Sequence, residues 1–145
     1  MYTIQNDLLY KANATGDWDQ IRFFNTPNVG GAMEPKFLVI HFTAGAMDAY
    51  GTATYFQKPE AKVSAHLSLS EDGTWAQSVE FRQVAYHAGK SSWAGHTNLN
   101  SNSIGIEVCN PGPLTMTNTG FQTWWGKTVT NSNIVTAPHP NDPNG

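Results

Sequence analysis

The chain has 145 residues, the size of one ordinary domain, and only 13% of them are charged, against a usual value of about a quarter. A formal charge of −3 without any Lys or Arg cluster excludes the electrostatic footprint that phosphate backbones or anionic membrane surfaces need, so no nucleic-acid partner is expected. Cys109 is the single cysteine, which excludes an intrachain disulfide and a zinc site built from cysteine thiolates alone.

No apolar run approaches membrane-spanning length, so membrane insertion is not expected. Met1–Gln20 lacks the basic segment and continuous apolar stretch of an export signal; the compartment stays open between the cytoplasm and delivery by another route. A single core is expected over 1–145. Residues 1–35 are polar and turn-rich, with Asn25-Thr26-Pro27-Asn28 followed by Gly30-Gly31, and read as an irregular arm.

Phe37–Phe42 reads Phe-Leu-Val-Ile-His-Phe between Pro35 and Gly45, the pattern of a strand buried on both faces with His41 near its C-terminal end. Ala49, Ala53 and Phe56 then recur at helical spacing within Asp48–Gln57, and Pro59 stops the pattern. Val63, Ala65, Leu67 and Leu69 alternate with polar residues, and Asp72-Gly73 favours a tight reversal into Trp75–Val79; this predicts a β-hairpin with His66 on its polar face. Val84–His87 suits a further short strand. After a loop-like stretch, Ile104, Ile106 and Val108 alternate with Ser103, Gly105 and Glu107 in a last strand that stops at Asn110-Pro111-Gly112-Pro113.

Chemistry in such a chain needs a nucleophile with its base, or a metal with an open position. No Ser sits in a Gly-x-Ser-x-Gly elbow, and the five histidines, His41, His66, His87, His96 and His139, never form a His-Glu-x-x-His pattern. His41 interrupts an apolar strand, where an imidazole must find a hydrogen-bond partner or a metal, because burying it unsatisfied costs about 1–3 kcal/mol. Glu107 likewise interrupts an apolar strand, and is either paired with a cation or kept for acid–base work. His66 and His87 are read as polar residues on different strands. Trp75, Trp93, Trp124 and Trp125 fit core filling better than sugar stacking.

Five blocks in order carry a more specific signal: Val39-Ile40-His41-Phe42-Thr43-Ala44-Gly45, Val63-Ser64-Ala65-His66, Asp72-Gly73, Ala85-Tyr86-His87-Ala88-Gly89 and Ser103-Ile104-Gly105-Ile106-Glu107. Together they resemble the N-acetylmuramoyl-L-alanine amidase family, the zinc amidases of the AmpD and phage-lysozyme type, from about Pro27 onward. The resemblance implies an α/β fold, a central mixed β-sheet flanked by helices like that of peptidoglycan-recognition proteins. It implies zinc-dependent hydrolysis of the amide between N-acetylmuramic acid and L-alanine, with peptidoglycan or a muropeptide as substrate. It places a zinc ligand at His41 and a catalytic carboxylate at Glu107, and it makes His66 and His87 candidates for contacting substrate or supporting the site. Zinc chemistry suits the reaction, since the ion polarises a carbonyl and lowers the pKa of bound water to about 7, while a carboxylate moves the proton.

The family also has a C-terminal block that supplies a second His, an Asp or Cys ligand and a Lys, and these 145 residues contain no counterpart. His139 and Asp142 lie in a Pro-His-Pro-Asn-Asp-Pro setting that resembles the loop before the family's last helix instead. The expected fold is therefore the family fold lacking its C-terminal part. The remaining zinc ligands are expected from a segment after Gly145, a complementing C-terminal segment is an expected partner, and some apolar sheet surface should lie bare. The alternative function is a non-catalytic peptidoglycan- or muropeptide-binding module. A carbohydrate-binding β-module built on the tryptophans explains the composition without explaining the order of the blocks.

Overall fold

A computed structural model describes residues 1–118 and 120–129. The chain divides into two compact units, Met1–Gly112 and Pro113–Gly145, where a single core was expected. Within the described part of the second unit, β12 (Thr115–Thr117), β13 (Gly120–Gln122) and β14 (Thr128–Val129) form an antiparallel sheet.

The first unit opens with β1 (Tyr2–Gln5), β2 (Leu8–Ala12) and β3 (Trp18–Gln20), paired antiparallel, so the segment expected to be irregular carries its own small sheet. Polar, turn-rich composition conceals these strands because Leu9 is the one residue of the three strands that is buried. Next come β4 (Val29–Ala32), β5 (Phe37–Phe42) and α1 (Ala49–Phe56). They are followed by β6 (Leu67–Leu69), β7 (Trp75–Gln77) and β8 (Gln83–Ala85). The two-residue strands β9 (Ser92–Trp93) and β10 (His96–Thr97) precede β11 (Ser103–Val108).

The central sheet runs β5-β11-β6-β7, with β11 parallel to both β5 and β6, and β7 antiparallel to β6. It is mixed, as expected, and α1 is the one α-helix among the described residues. The helix forms where the 3.6-residue pattern predicted it: Ala49, Thr52, Ala53 and Phe56 are its buried positions, and the Asp48 carboxylate caps it by accepting from the Gly51 N–H at 2.7 Å. Ser70 at the end of the β-hairpin accepts from the Ala49 N–H at 2.7 Å, tying the start of the helix to the sheet. The reversal at Asp72-Gly73 is also as predicted, with Gly73 at φ +84 and the Thr74 N–H bonded to the Asp72 carboxylate.

Alternation gives the sheet two different faces. On one, Leu67 packs with Leu9 and Phe81, and Ile21, Trp75, Ile104 and Ile106 gather round them. Gln77 fixes this side: it is fully buried, its Oε1 accepts from the Leu9 N–H at 2.8 Å, and its Nε2 donates to the carbonyls of Asp7 and Val79, both at 3.0 Å. On the other face, Ala49 and Ala53 of α1 pack with Ala76 and Cys109.

The expectation that Phe37–Phe42 is buried on both faces is corrected. β5 is an edge strand, and Leu38, Ile40 and Phe42 are 58%, 66% and 57% exposed. The apolar run specifies a strand, but burial depends on what the rest of the fold lays against it.

Candidate active site

β5 and β11 pair in parallel register with Glu107 opposite His41, so these two side chains leave adjacent strands on the same sheet face. The His87 ring joins them. It reaches the site from the segment after β8, held because Asn100 Oδ1 accepts from the backbone N–H groups of His87 and Ala88 at 3.0 and 2.7 Å. His87 Nδ1 lies 3.0 Å from His41 Nε2, and the rings meet edge to face with centroids 5.2 Å apart.

Gly105 makes this position available. A Cβ placed there would come within 2.4–2.7 Å of the His87 ring, so only a residue without a side chain lets the imidazole rest on β11.

The hydrogen bonds assign the tautomers. His66 Nδ1 accepts from the Gly105 N–H at 3.0 Å, so the ring proton sits on Nε2, which donates to the Gln83 carbonyl at 2.9 Å. His87 Nε2 faces the Ser103 carbonyl at 3.4 Å and the Ser103 hydroxyl at 3.3 Å, and that hydroxyl already donates to the Leu99 carbonyl at 2.6 Å. Both contacts therefore accept from His87 Nε2–H, leaving Nδ1 to accept from His41 Nε2–H. The nitrogen of His41 that keeps its lone pair is then Nδ1.

Burial sets the electrostatics. Desolvation pushes His66 and His87 down to about 4, the neighbouring imidazole adding to the effect in each, and lowers His41 as well. The same cause raises Glu107. Among the described residues no cation pairs with Glu107 and no donor hydrogen-bonds its carboxylate, so of the two readings open for it, the paired one lacks a partner. A desolvated carboxylate beside neutral imidazoles is suited to taking up and returning a proton near neutral pH.

His66 is corrected in one respect. It is not on a solvent-facing polar side of the hairpin; it is 0% exposed, with both ring nitrogens bonded to backbone. That leaves it no surface for a ligand, and of its two expected places it fits the supporting one, bracing β11 beneath His87. His87 is partly exposed, with Nδ1 engaged by His41 and Nε2 by Ser103. His96 packs edge-on against Phe37, with centroids 5.1 Å apart. His139 and Asp142 lie outside the described residues. Asn100 went unremarked in the sequence, and Ser103 and Gly105 were read as members of the last strand without a role in the site; a glycine inside the Ser-Ile-Gly-Ile-Glu strand was the available signal.

Among the described residues no three His, Cys, Asp or Glu side chains converge as a metal site. A catalytic zinc takes three protein ligands, so the described residues do not by themselves fit a complete zinc centre.

The fold and the site together define an α/β protein whose mixed sheet presents imidazoles and an unpaired carboxylate on one face, equipment for acid–base chemistry. The family model for N-acetylmuramoyl-L-alanine amidase matches residues 31–137, and the chain belongs to that family. It is 34% identical over 120 residues to the 1,6-anhydro-N-acetylmuramyl-L-alanine amidase AmpD of Citrobacter freundii, covering 72% of this chain and 63% of that protein. It is 40% identical over 85 residues to the N-acetylmuramoyl-L-alanine amidase AmiD of Escherichia coli, covering 53% of this chain and 29% of AmiD. The match thus spans less than two thirds of either relative. A crystal structure of a selenomethionine derivative of AmpD superposes with a TM-score of 0.54 at 28% identity, covering 62% of this chain and 61% of that one. A mutant endolysin from Bacillus subtilis does so with a TM-score of 0.50 at 29% identity, covering 61% of each chain.

Proposed function

We propose that this chain belongs to an enzyme that hydrolyses the amide between N-acetylmuramic acid and L-alanine in peptidoglycan or muropeptides. The observation that carries the reading is the pairing of His41 with Glu107 across parallel strands, with the His87 ring seated against His41 over Gly105. The amidase names of the relatives support the bond type, and their AmpD members, named for 1,6-anhydro-N-acetylmuramyl-L-alanine, support a released wall fragment as one substrate class.

In this reading Glu107 is the acid–base group. Its desolvated carboxylate takes a proton from the attacking water and returns it to the leaving nitrogen of L-alanine, a task eased by a raised pKa. His87, fixed by Asn100 and Ser103, is the partly exposed group assigned to contact a muropeptide, and buried His66 braces the strand that carries Glu107.

Zinc dependence belongs to the same proposal. His41 is the ligand this part of the chain offers, through Nδ1, and the other donors lie outside the described residues. One observation favours the second reading, a non-catalytic muropeptide-binding module: the described residues bring no three donors together.

The deciding experiment measures release of L-alanyl peptide from a muropeptide, alongside binding of the intact muropeptide, with zinc supplied. Hydrolysis that falls about 100-fold or more in Glu107→Ala, with binding retained, supports the enzyme. Hydrolysis indifferent to Glu107 removes its catalytic role, and muropeptide binding without turnover in protein shown to hold zinc supports the recognition module.

A further inference from the structure

Ser68 sits in the middle of β6, 1% exposed, and its hydroxyl has no hydrogen-bond partner among the described residues. Buried hydroxyls are nearly always satisfied, so one that is not calls for an explanation. Its place in the sheet supplies one. β11 lies between β5 and β6, and in the parallel register Glu107 stands opposite His41 on one side and opposite Ser68 on the other.

Side chains at partner positions of parallel strands leave the sheet on the same face, and neighbouring strands are about 4.8 Å apart. His41, Glu107 and Ser68 therefore form one row across three strands. The middle member is a carboxylate with no donor among the described residues, and the third is a donor with no acceptor. On the far side of Ser68 the row continues to Ala76, which offers no polar side chain. The buried hydroxyl has Glu107 as the acceptor beside it in the row.

No hydrogen bond joins the two side chains as they stand; we propose that Ser68 is a positioning residue for Glu107, a change of side-chain rotamer letting its hydroxyl donate to the ionised carboxylate and hold it in one orientation within the row it shares with His41. The proposal rests on the reading of Glu107 as the acid–base group. Ser68 itself, buried under α1, touches neither substrate nor metal. It acts by restricting a flexible carboxylate and by lending the charged form one strong hydrogen bond in a place short of donors.

Two measurements test it, and the first is independent of activity. In a double-mutant cycle read by urea unfolding at pH 7.5, Ser68→Ala should lower the folding equilibrium constant about tenfold with Glu107 present, as expected for a hydrogen bond to a charged group. In the Glu107→Met background the same change should cost less than about threefold, and Ser68→Thr, which keeps the hydroxyl, should restore most of the coupling. Equal effects in both backgrounds overturn the proposal, and would mean that the hydroxyl is satisfied by water or serves packing alone. The second measurement is steady-state hydrolysis of a muropeptide, where Ser68→Ala should lower kcat about tenfold with KM little changed. If Glu107→Ala abolishes turnover and Ser68→Ala leaves kcat intact, the positioning role is overturned. If no variant hydrolyses the amide although zinc is bound, the amidase reading fails by itself, and the unfolding cycle still decides whether Ser68 bonds Glu107.

Discussion

His66 and His87 are imidazoles that the fold keeps neutral, and this has a measurable consequence for stability. In the unfolded chain each titrates near 6.5, whereas in the folded chain burial holds both at about 4. Between these values the unfolded state binds more protons, so stability present above pH 6.5 is lost as pH falls toward 4. Each imidazole contributes a slope of up to about 1.4 kcal/mol per pH unit, and His41, lowered for the same reason, adds in the same direction. Glu107 opposes them, since a raised carboxylate favours the folded state as pH falls, but it is one group against three. Urea unfolding at pH 7, 6 and 5 should therefore give a steadily decreasing free energy. A flat or rising profile over that range would mean that the imidazoles accept protons within the folded protein, and that their burial is overstated.

At the scale of elements, one buried amide side chain joins the central sheet to the N-terminal strands, beside the packing of Leu9 on Leu67 and Phe81 and the backbone bonds of Gln77 with Arg22 and Phe24. Gln77 of β7 bonds the backbone of Leu9 on β2 and of Asp7 just before it, and also Val79, all within a fully buried environment. Gln77→Leu keeps the bulk but takes their side-chain partner from the Leu9 N–H and the Val79 carbonyl and one of two donors from the Asp7 carbonyl, which keeps the Phe81 N–H, and should destabilise the first unit by about 2–4 kcal/mol. Amide hydrogen exchange is the discriminating measurement: protection should fall across β1–β3 as well as around β7. Unchanged protection at Leu9 would mean that water replaces the amide without loss. The exposed row on β5 is the opposite case, an apolar face of Leu38, Ile40 and Phe42 that the described residues leave in contact with solvent.

For the whole molecule, metal content is the property that the described residues bear on most directly. With one proposed zinc ligand, His41, and no convergence of three donors among the described residues, the 145-residue chain should retain well under one zinc per molecule after dialysis. Zinc analysis by atomic absorption is sufficient to check this. Stoichiometric retention would direct attention to His139 and Asp142 as donors, and His139→Ala should then release the ion.

Local pattern made several parts of this protein legible. The helix follows from the spacing of Ala49, Ala53 and Phe56 after Asp48, the hairpin from Asp72-Gly73, and β11 from the alternation of Ile104, Ile106 and Val108, because each rests on interactions within a few residues of chain. The five ordered blocks likewise sufficed for the family. What the chain could not reveal locally was which strand pairs with which, and in what register. The parallel pairing that sets Glu107 between His41 and Ser68 joins positions far apart in sequence, and a shift of one residue would turn those side chains to the opposite face. Burial was decided in the same way. His66 falls among the polar residues of the predicted alternation yet, just before β6, is sealed by Gly105 and Gln83, while the almost wholly apolar β5 lies exposed at an edge, because accessibility depends on what the distant chain brings alongside.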